Sequence, residues 1–220
     1  MPASDLGSRP QRKVVQVGEW LLTPERAAIH LPSSTAIIAD LHLGYDLARC
    51  KSGDAVPITP LDEQWAPLEM LFSCHTVARM VIAGDLVEKW QGDQMACMIR
   101  DWLHDRKVEL VGIVSGNHDS SIDRDGSVPI FEEGFPVGNW LVVHGDKNEP
   151  AGKVVLGHYH PCVRWRRHLT GPCFLYRNDR LVLPAFSKDA AGGNVLGNRQ
   201  WRGHQCFVVA ETKVLDFGEL

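Results

Sequence analysis

Short apolar runs alternate with polar breaks along the chain, and the breaks carry most of the charge. Runs with the β-branched composition of strands occupy residues 14–17, 28–30, 35–39, 79–83, 108–114, 140–143, 154–156, 181–183, 205–210 and 214–217. Two longer stretches carry helical signals instead. In residues 60–75, Thr59 and Pro60 form a cap and a first helical position, and Pro67 is expected to kink the helix. In residues 93–106, Met95, Met98, Ile99, Trp102 and Leu103 recur at helical spacing. The first half thus alternates strand and helix, and the second half becomes strands punctuated by glycine and proline. The pattern predicts an α/β architecture that ends in a β-rich meander.

Composition narrows the class. The chain has 220 residues, 44% of them hydrophobic and 23% charged, which suits one globular domain with a sizeable core and excludes disorder and collagen-like structure. A single domain over residues 13–220 is expected, after a polar, proline-containing tail at 1–12 that frays. No apolar run approaches the roughly 18 residues of a membrane span, and the first residues lack the apolar core of a secretion signal, so the expectation is a cytoplasmic protein with no membrane partner. The six cysteines are scattered without a C-x-x-C pair, so they read as free thiols rather than as a zinc knuckle. The formal charge of −4 gives no global basic footprint, but ten histidines are more than packing requires.

Their placement is what matters. Asp40-Leu41-His42, Gly84-Asp85, Gly116-Asn117-His118-Asp119, His144-Gly145-Asp146 and Gly157-His158-Tyr159-His160 each follow a short apolar run. In open α/β sheets the loops beyond the carboxyl ends of the strands converge, which would bring the five segments together. Any one of them is common by chance; the ordered set at five strand ends is not. Carboxylates, imidazoles and one amide oxygen suit Mn²⁺ first, with Fe or Zn²⁺ as alternatives, and the donors are too many for one ion. Two divalent cations sharing a carboxylate are the reading that accommodates them. His30, His75, His104, His168 and His204 lie in no such context.

The order D-x-H, G-D-x-x-(D/E), G-N-H-(D/E), H-G, G-H-x-H resembles the signature of the calcineurin-like metallophosphoesterases, between Asp40 and His160. DLHLGY at 40–45, GHYHP at 157–161, PCF at 172–174, RLVLPAF at 180–186 and GGNVLG at 192–197 are similar to the branch that holds the ligase-associated DNA damage response endonucleases and related archaeal phosphoesterases. The resemblance implies a four-layer αββα sandwich of two mixed β-sheets. It implies that Asp40, His42 and His160 hold one metal, that Asn117, His144 and His158 hold the other, and that Asp85 bridges them. His118 would protonate the leaving oxygen, with Asp119 orienting its ring, and a metal-activated hydroxide would attack the phosphoester. The second motif more often ends in aspartate; GDLVE places Glu88 there, a residue that would act from behind the ligands.

The function the resemblance implies is a two-metal phosphoesterase that hydrolyses phosphodiester bonds, with a DNA nuclease linked to repair as its leading form. The resemblance to the ligase-associated branch also implies a DNA ligase and a helicase, encoded nearby, as functional associates. Hydrolysis of a nucleotide, pyrophosphate or phosphomonoester is the alternative, and a non-catalytic scaffold on the same fold is a further one. Between Pro161 and Gln205 eight Lys and Arg face two acids, although the whole chain is acidic. Arg164, Arg166 and Arg167 are therefore candidate substrate contacts, with Trp165 and Trp201 available to stack on bases.

Overall fold

The computed structural model describes residues 12–88, 91–123, 126–147 and 149–220. The tail expected at 1–12 lies outside the described residues except for Arg12.

Two mixed sheets form an α/β sandwich. The first contains β1 (Val15–Val17), β2 (Trp20–Leu22), β3 (Ala28–His30), β4 (Thr35–Ile38), β5 (Arg79–Ile82), β6 (Glu109–Val114) and β7 (Ile130–Phe131), in that spatial order. Its first four strands pair antiparallel, and β4 through β7 run parallel. The second sheet is built from β8 (Phe135–Val137), β9 (Trp140–Val143), β10 (Lys153–Leu156), β11 (Pro161–Trp165), β12 (Leu169–Arg177), β13 (Arg180–Val182) and β14 (Gly193–Asn194). Its order is β14-β11-β12-β13-β10-β9-β8; β15 (Gln205–Val209) pairs with β12, and β16 (Val214–Glu219) pairs with β15. Within it β9, β10 and β13 are parallel neighbours.

Strand alternation assigns side chains to layers. In β4 and β5, Ile37 and Val81 face the second sheet, with Val155, Phe174 and Phe207 opposite. Their neighbours Ala36, Ile38, Met80 and Ile82 face outward. That outward face is covered by two helices: α2 (Leu61–Cys74), through Trp65, Leu68 and Leu71, and α3 (Gly92–His104), through Met95, Ile99 and Leu103. A short α1 (Tyr45–Lys51) follows β4. Helix α2 continues through Pro67, and Pro60 stands at its N-cap.

The outer face of the second sheet differs in kind from the helical layer of the first. There Val154, Leu156, Leu175 and Val208 are covered by Val195 and by Trp201 in the 3-10 turn Arg199–Trp201. The fourth layer is therefore a turn and its flanking loop. Strands β11 and β12 escaped the sequence pattern because Pro161, Gly171 and Pro172 read as turn residues. In β12, Gly171 and Pro172 precede Cys173, the first residue in register with β15, so the proline's missing N–H falls where the ladder changes partners. No helix among the described residues is long and apolar enough to cross a membrane.

Candidate metal centre

The candidate side chains all follow the carboxyl ends of parallel strands. Asp40 and His42 follow β4, Asp85 follows β5, Asn117 and His118 follow β6, His144 follows β9, and His158 and His160 follow β10. The two sheets thus deliver the five loops to one edge of the sandwich.

Three groups of candidate ligand atoms result, each mutually within 4.8 Å: Asp40, His42 and His160; Asp85, His144 and His158; and His42, Asp85 and His118. Asp85 belongs to two of them. Its Oδ1 accepts the His118 backbone N–H at 3.0 Å, and its Oδ2 lies 3.4 Å from His144 Nε2 and 3.8 Å from His42 Nε2. Asp40 Oδ1 lies 3.3 Å from His160 Nε2, and both Asp40 oxygens accept the His158 backbone N–H. Asn117 Oδ1 lies 3.3 Å from His144 Nε2.

The geometry fits divalent cations. Bonds of about 2.0–2.2 Å to one ion separate neighbouring ligand atoms by about 3.0–3.5 Å, the spacing of the Asp40–His160 and Asp85–His144 pairs. His144 Nδ1 donates to the Ala83 carbonyl at 3.0 Å, and His42 Nδ1 donates to Glu88 Oε2 at 3.0 Å. A carbonyl or carboxylate oxygen only accepts, so both rings carry a proton on Nδ1 and leave Nε2 as the nitrogen that faces the site. His42 Nε2 is buried and has no hydrogen-bond partner among the described residues, an arrangement a cation satisfies.

Electrostatics point the same way. Burial opposes ionisation of Asp85, but the His144 hydrogen bond and charge, the His118 N–H and His42 hold its carboxyl at about 2. Burial also disfavours a charged His144, yet Asp85 and Asp40 push it up to about 9. Both shifts express one attraction: the carboxylates demand positive charge at this point, which a proton or a metal ion supplies. Burial, then the His144 charge, lowers the pKa of His158. For His160 burial lowers it too, but Asp40 outweighs that and raises it.

Backbone strain concentrates here. Asp40, His42, Asp85, His158 and His160 all adopt left-handed backbone, with φ between 43° and 63°. That conformation costs a non-glycine residue about 1–3 kcal/mol and persists where the surroundings enforce it. The glycines beside them allow close approach. A Cβ on Gly116 would lie 2.3 Å from Asp85 Oδ1, and one on Gly84 would lie 2.3 Å from His144 Nδ1.

One expected role changes. Asp119 does not orient the His118 ring: its carboxylate accepts the backbone N–H groups of Asp85, Leu86, Val87 and Gly116, at 2.8, 2.8, 3.4 and 3.0 Å. Adjacent residues point in different directions, so Asp119 turns inward and ties the Asp85 loop to the loop after β6. The carboxylate beside His118 is Glu88, whose Oε2 lies 3.1 Å from its Nδ1 as well as 3.0 Å from that of His42.

The basic candidates separate. Arg164, on β11, shares a groove with His160. Arg166 and Arg167 occupy the chain reversal at the far end of the β11–β12 hairpin, where Trp165 pairs with Leu169. Trp165 is exposed, whereas Trp201 is buried edge-on against Tyr159. The motif RLVLPAF acquires a physical role, because the N–H groups of Phe186 and Ser187 donate to the carbonyls of Ala39 and Asp40 and fasten this segment to the Asp40 loop. Arg26, in the turn between β2 and β3, secures the same segment with no motif to announce it.

An α/β sandwich with Asp/His clusters at one edge is thus the class that fold and site define. Among solved structures the chain is similar to Pseudomonas putida nuclease MPE, with a TM-score of 0.72 and 18% identity over 93% of this chain and 100% of that one. The two share a fold. No family model and no curated protein sequence matches the chain.

Proposed function

We propose that the protein is a metal-dependent phosphodiesterase whose substrate class is nucleic acid, with DNA cleavage as the leading case. The observation that carries this reading is the chain of three Asp/His clusters, Asp40–His42–His160, His42–Asp85–His118 and Asp85–His144–His158, joined through His42 and Asp85. The shared fold with a protein described as a nuclease agrees with it.

Asp40, His42 and His160 would hold one cation, and Asn117, His144 and His158 the other, with Asp85 between; manganese is the first choice and iron or zinc the alternatives. Two such ions, when bound, neutralise phosphoryl charge and make a water nucleophilic near neutral pH. Glu88 and the Ala83 carbonyl keep His42 and His144 in the ligating tautomer. His118 is partly exposed beside Asp85 and Glu88, and its ring would give a proton to the departing oxygen. Asp119 holds the Asp85 loop in place for this chemistry.

The test is hydrolysis, with added Mn²⁺, of a phosphodiester reporter, a phosphomonoester reporter, and single- and double-stranded DNA in parallel. Diester and DNA cleavage that vanishes in Asp85→Asn supports the reading. Hydrolysis of the monoester alone would transfer the site to small substrates, and inactivity with manganese, iron and zinc would remove the enzymatic reading.

A further inference from the structure

We propose that the groove leading away from His160, between the β11–β12 hairpin and the segment after Phe186, is a track for the phosphodiester backbone flanking the reacting phosphate, with Arg164 and Lys188 as its phosphate contacts. This rests on the reading of the site as a phosphodiesterase and adds the direction in which an anionic chain leaves it.

The groove is lined by His160, Arg26, Arg164, Thr170, Lys188 and Gly192, among other residues, and no carboxylate is among them. The cavity on the other side of the site, against His144, carries Glu132, Glu133 and Asp146 with one cation, Lys147. A chain bearing a negative charge on each unit is therefore drawn past His160 and repelled from the His144 wall.

The two phosphate contacts stand on fixed backbone. Arg26 Nη1 donates to the carbonyls of Ala185, Phe186 and Ser187, at 3.1, 3.3 and 2.7 Å, while Phe186 and Ser187 are themselves bonded to Ala39 and Asp40. Lys188 is thus one residue beyond a segment clamped to the loop of a candidate metal ligand. On the facing wall, Arg164 donates its backbone N–H to Asn194 Oδ1 at 2.9 Å and its Nη2 to the Gly192 carbonyl at 2.8 Å, which sets the guanidinium along the rim. Neither Arg164 nor Lys188 forms an ion pair with a carboxylate among the described residues, so both charges are available. Arg166 and Arg167 do not line this groove: the strand carries them more than about 13 Å beyond Pro161, at about 3.3 Å per residue, to the hairpin's end.

The experiment is fluorescence anisotropy of an end-labelled single-stranded DNA oligonucleotide, in chelator so that no cleavage occurs, over a salt series. Three proteins are compared: the parent, the double variant Arg164→Ala/Lys188→Ala, and the hairpin-tip double variant Arg166→Ala/Arg167→Ala. The first double variant is expected to bind about tenfold more weakly and to lower the log–log salt slope by about 1.4, at about 0.7 per lost phosphate contact. The tip variant is expected to match the parent. No binding by the parent, no loss in Arg164→Ala/Lys188→Ala, or equal losses in both pairs would overturn the track. Metal-dependent hydrolysis of a small phosphodiester reporter by the parent is measured beside it. If the parent fails to hydrolyse that reporter, the reading of the site falls, while the anisotropy still decides the groove.

Discussion

Glu88 accepts a hydrogen bond from His42 Nδ1 at 3.0 Å and so aims the ring's buried Nε2, which has no hydrogen-bond partner among the described residues, at the Asp85 carboxylate. The same Glu88 oxygen lies 3.1 Å from His118 Nδ1 without a hydrogen bond to it, so one carboxylate is bonded to a candidate ligand and stands beside the candidate proton donor. The glutamate's extra methylene, relative to aspartate, gives it the reach to stand between the two rings.

Glu88→Ala should therefore lower turnover and also weaken metal affinity, by about 10-fold to 100-fold, the usual effect of removing a carboxylate behind a metal-bound histidine. Asp85→Ala should abolish turnover. Kinetics as a function of Mn²⁺ concentration separate the two; equal losses in the two variants at saturating metal would contradict the ranking.

Asp119 is a structural clamp. Asp119→Ala strips a buried acceptor from four N–H groups, and at about 1–3 kcal/mol for each donor left unsatisfied it should destabilise the protein by at least about 3 kcal/mol in urea unfolding. His118→Ala should cost activity with little change in stability. An Asp119→Ala protein as stable as its parent but slow would restore Asp119 to an orienting role.

Two histidines remote from the site give a pH signature of their own. Burial lowers the pKa of His30, against a smaller opposing pull from Glu19, and burial followed by the Arg177 charge lowers that of His204. The unfolded chain takes up protons on these rings first, near pH 6.5 or about that value. Their contribution is thus present above about pH 6.5 and is lost as pH falls through the folded pKa values. In His30→Asn/His204→Gln, unfolding free energy in chelator should fall less steeply from pH 7 to 5 than in the parent. Identical slopes would show that these rings do not titrate differently on unfolding.

Much of this was legible in the chain because the chemistry sits where strands end. Asp40, Asp85, Asn117, His144 and His158 each follow an apolar run, and parallel strands carry such positions to one edge. What the chain hides is direction. Asp119 adjoins His118 in sequence, yet its side chain turns to backbone donors from another loop, a long-range choice that local pattern cannot encode. Arg164, Arg166 and Arg167 look equivalent in sequence, but the hairpin keeps Arg164 in the groove and carries the others to its tip. Helix α1 gave no signal because it has no apolar face to repeat; the buried residue it contributes is Asp46, whose carboxylate accepts the Thr59 and Leu47 N–H groups. Lys188, one of the eight basic residues between Pro161 and Gln205, and Arg26 were not singled out because their importance comes from a segment folded back against Asp40 from more than a hundred residues away.

Asp85 is proposed to join two cation sites that together hydrolyse a phosphodiester. The most direct measurement titrates metal-stripped protein with Mn²⁺, following bound metal per chain and phosphodiester hydrolysis on the same samples, for the parent and Asp85→Asn. Two ions should bind per parent chain, with activity appearing as the second fills, and the variant should bind fewer ions and show no hydrolysis. Parent protein that binds neither manganese nor iron nor zinc, or Asp85→Asn that hydrolyses the diester as the parent does, would contradict it.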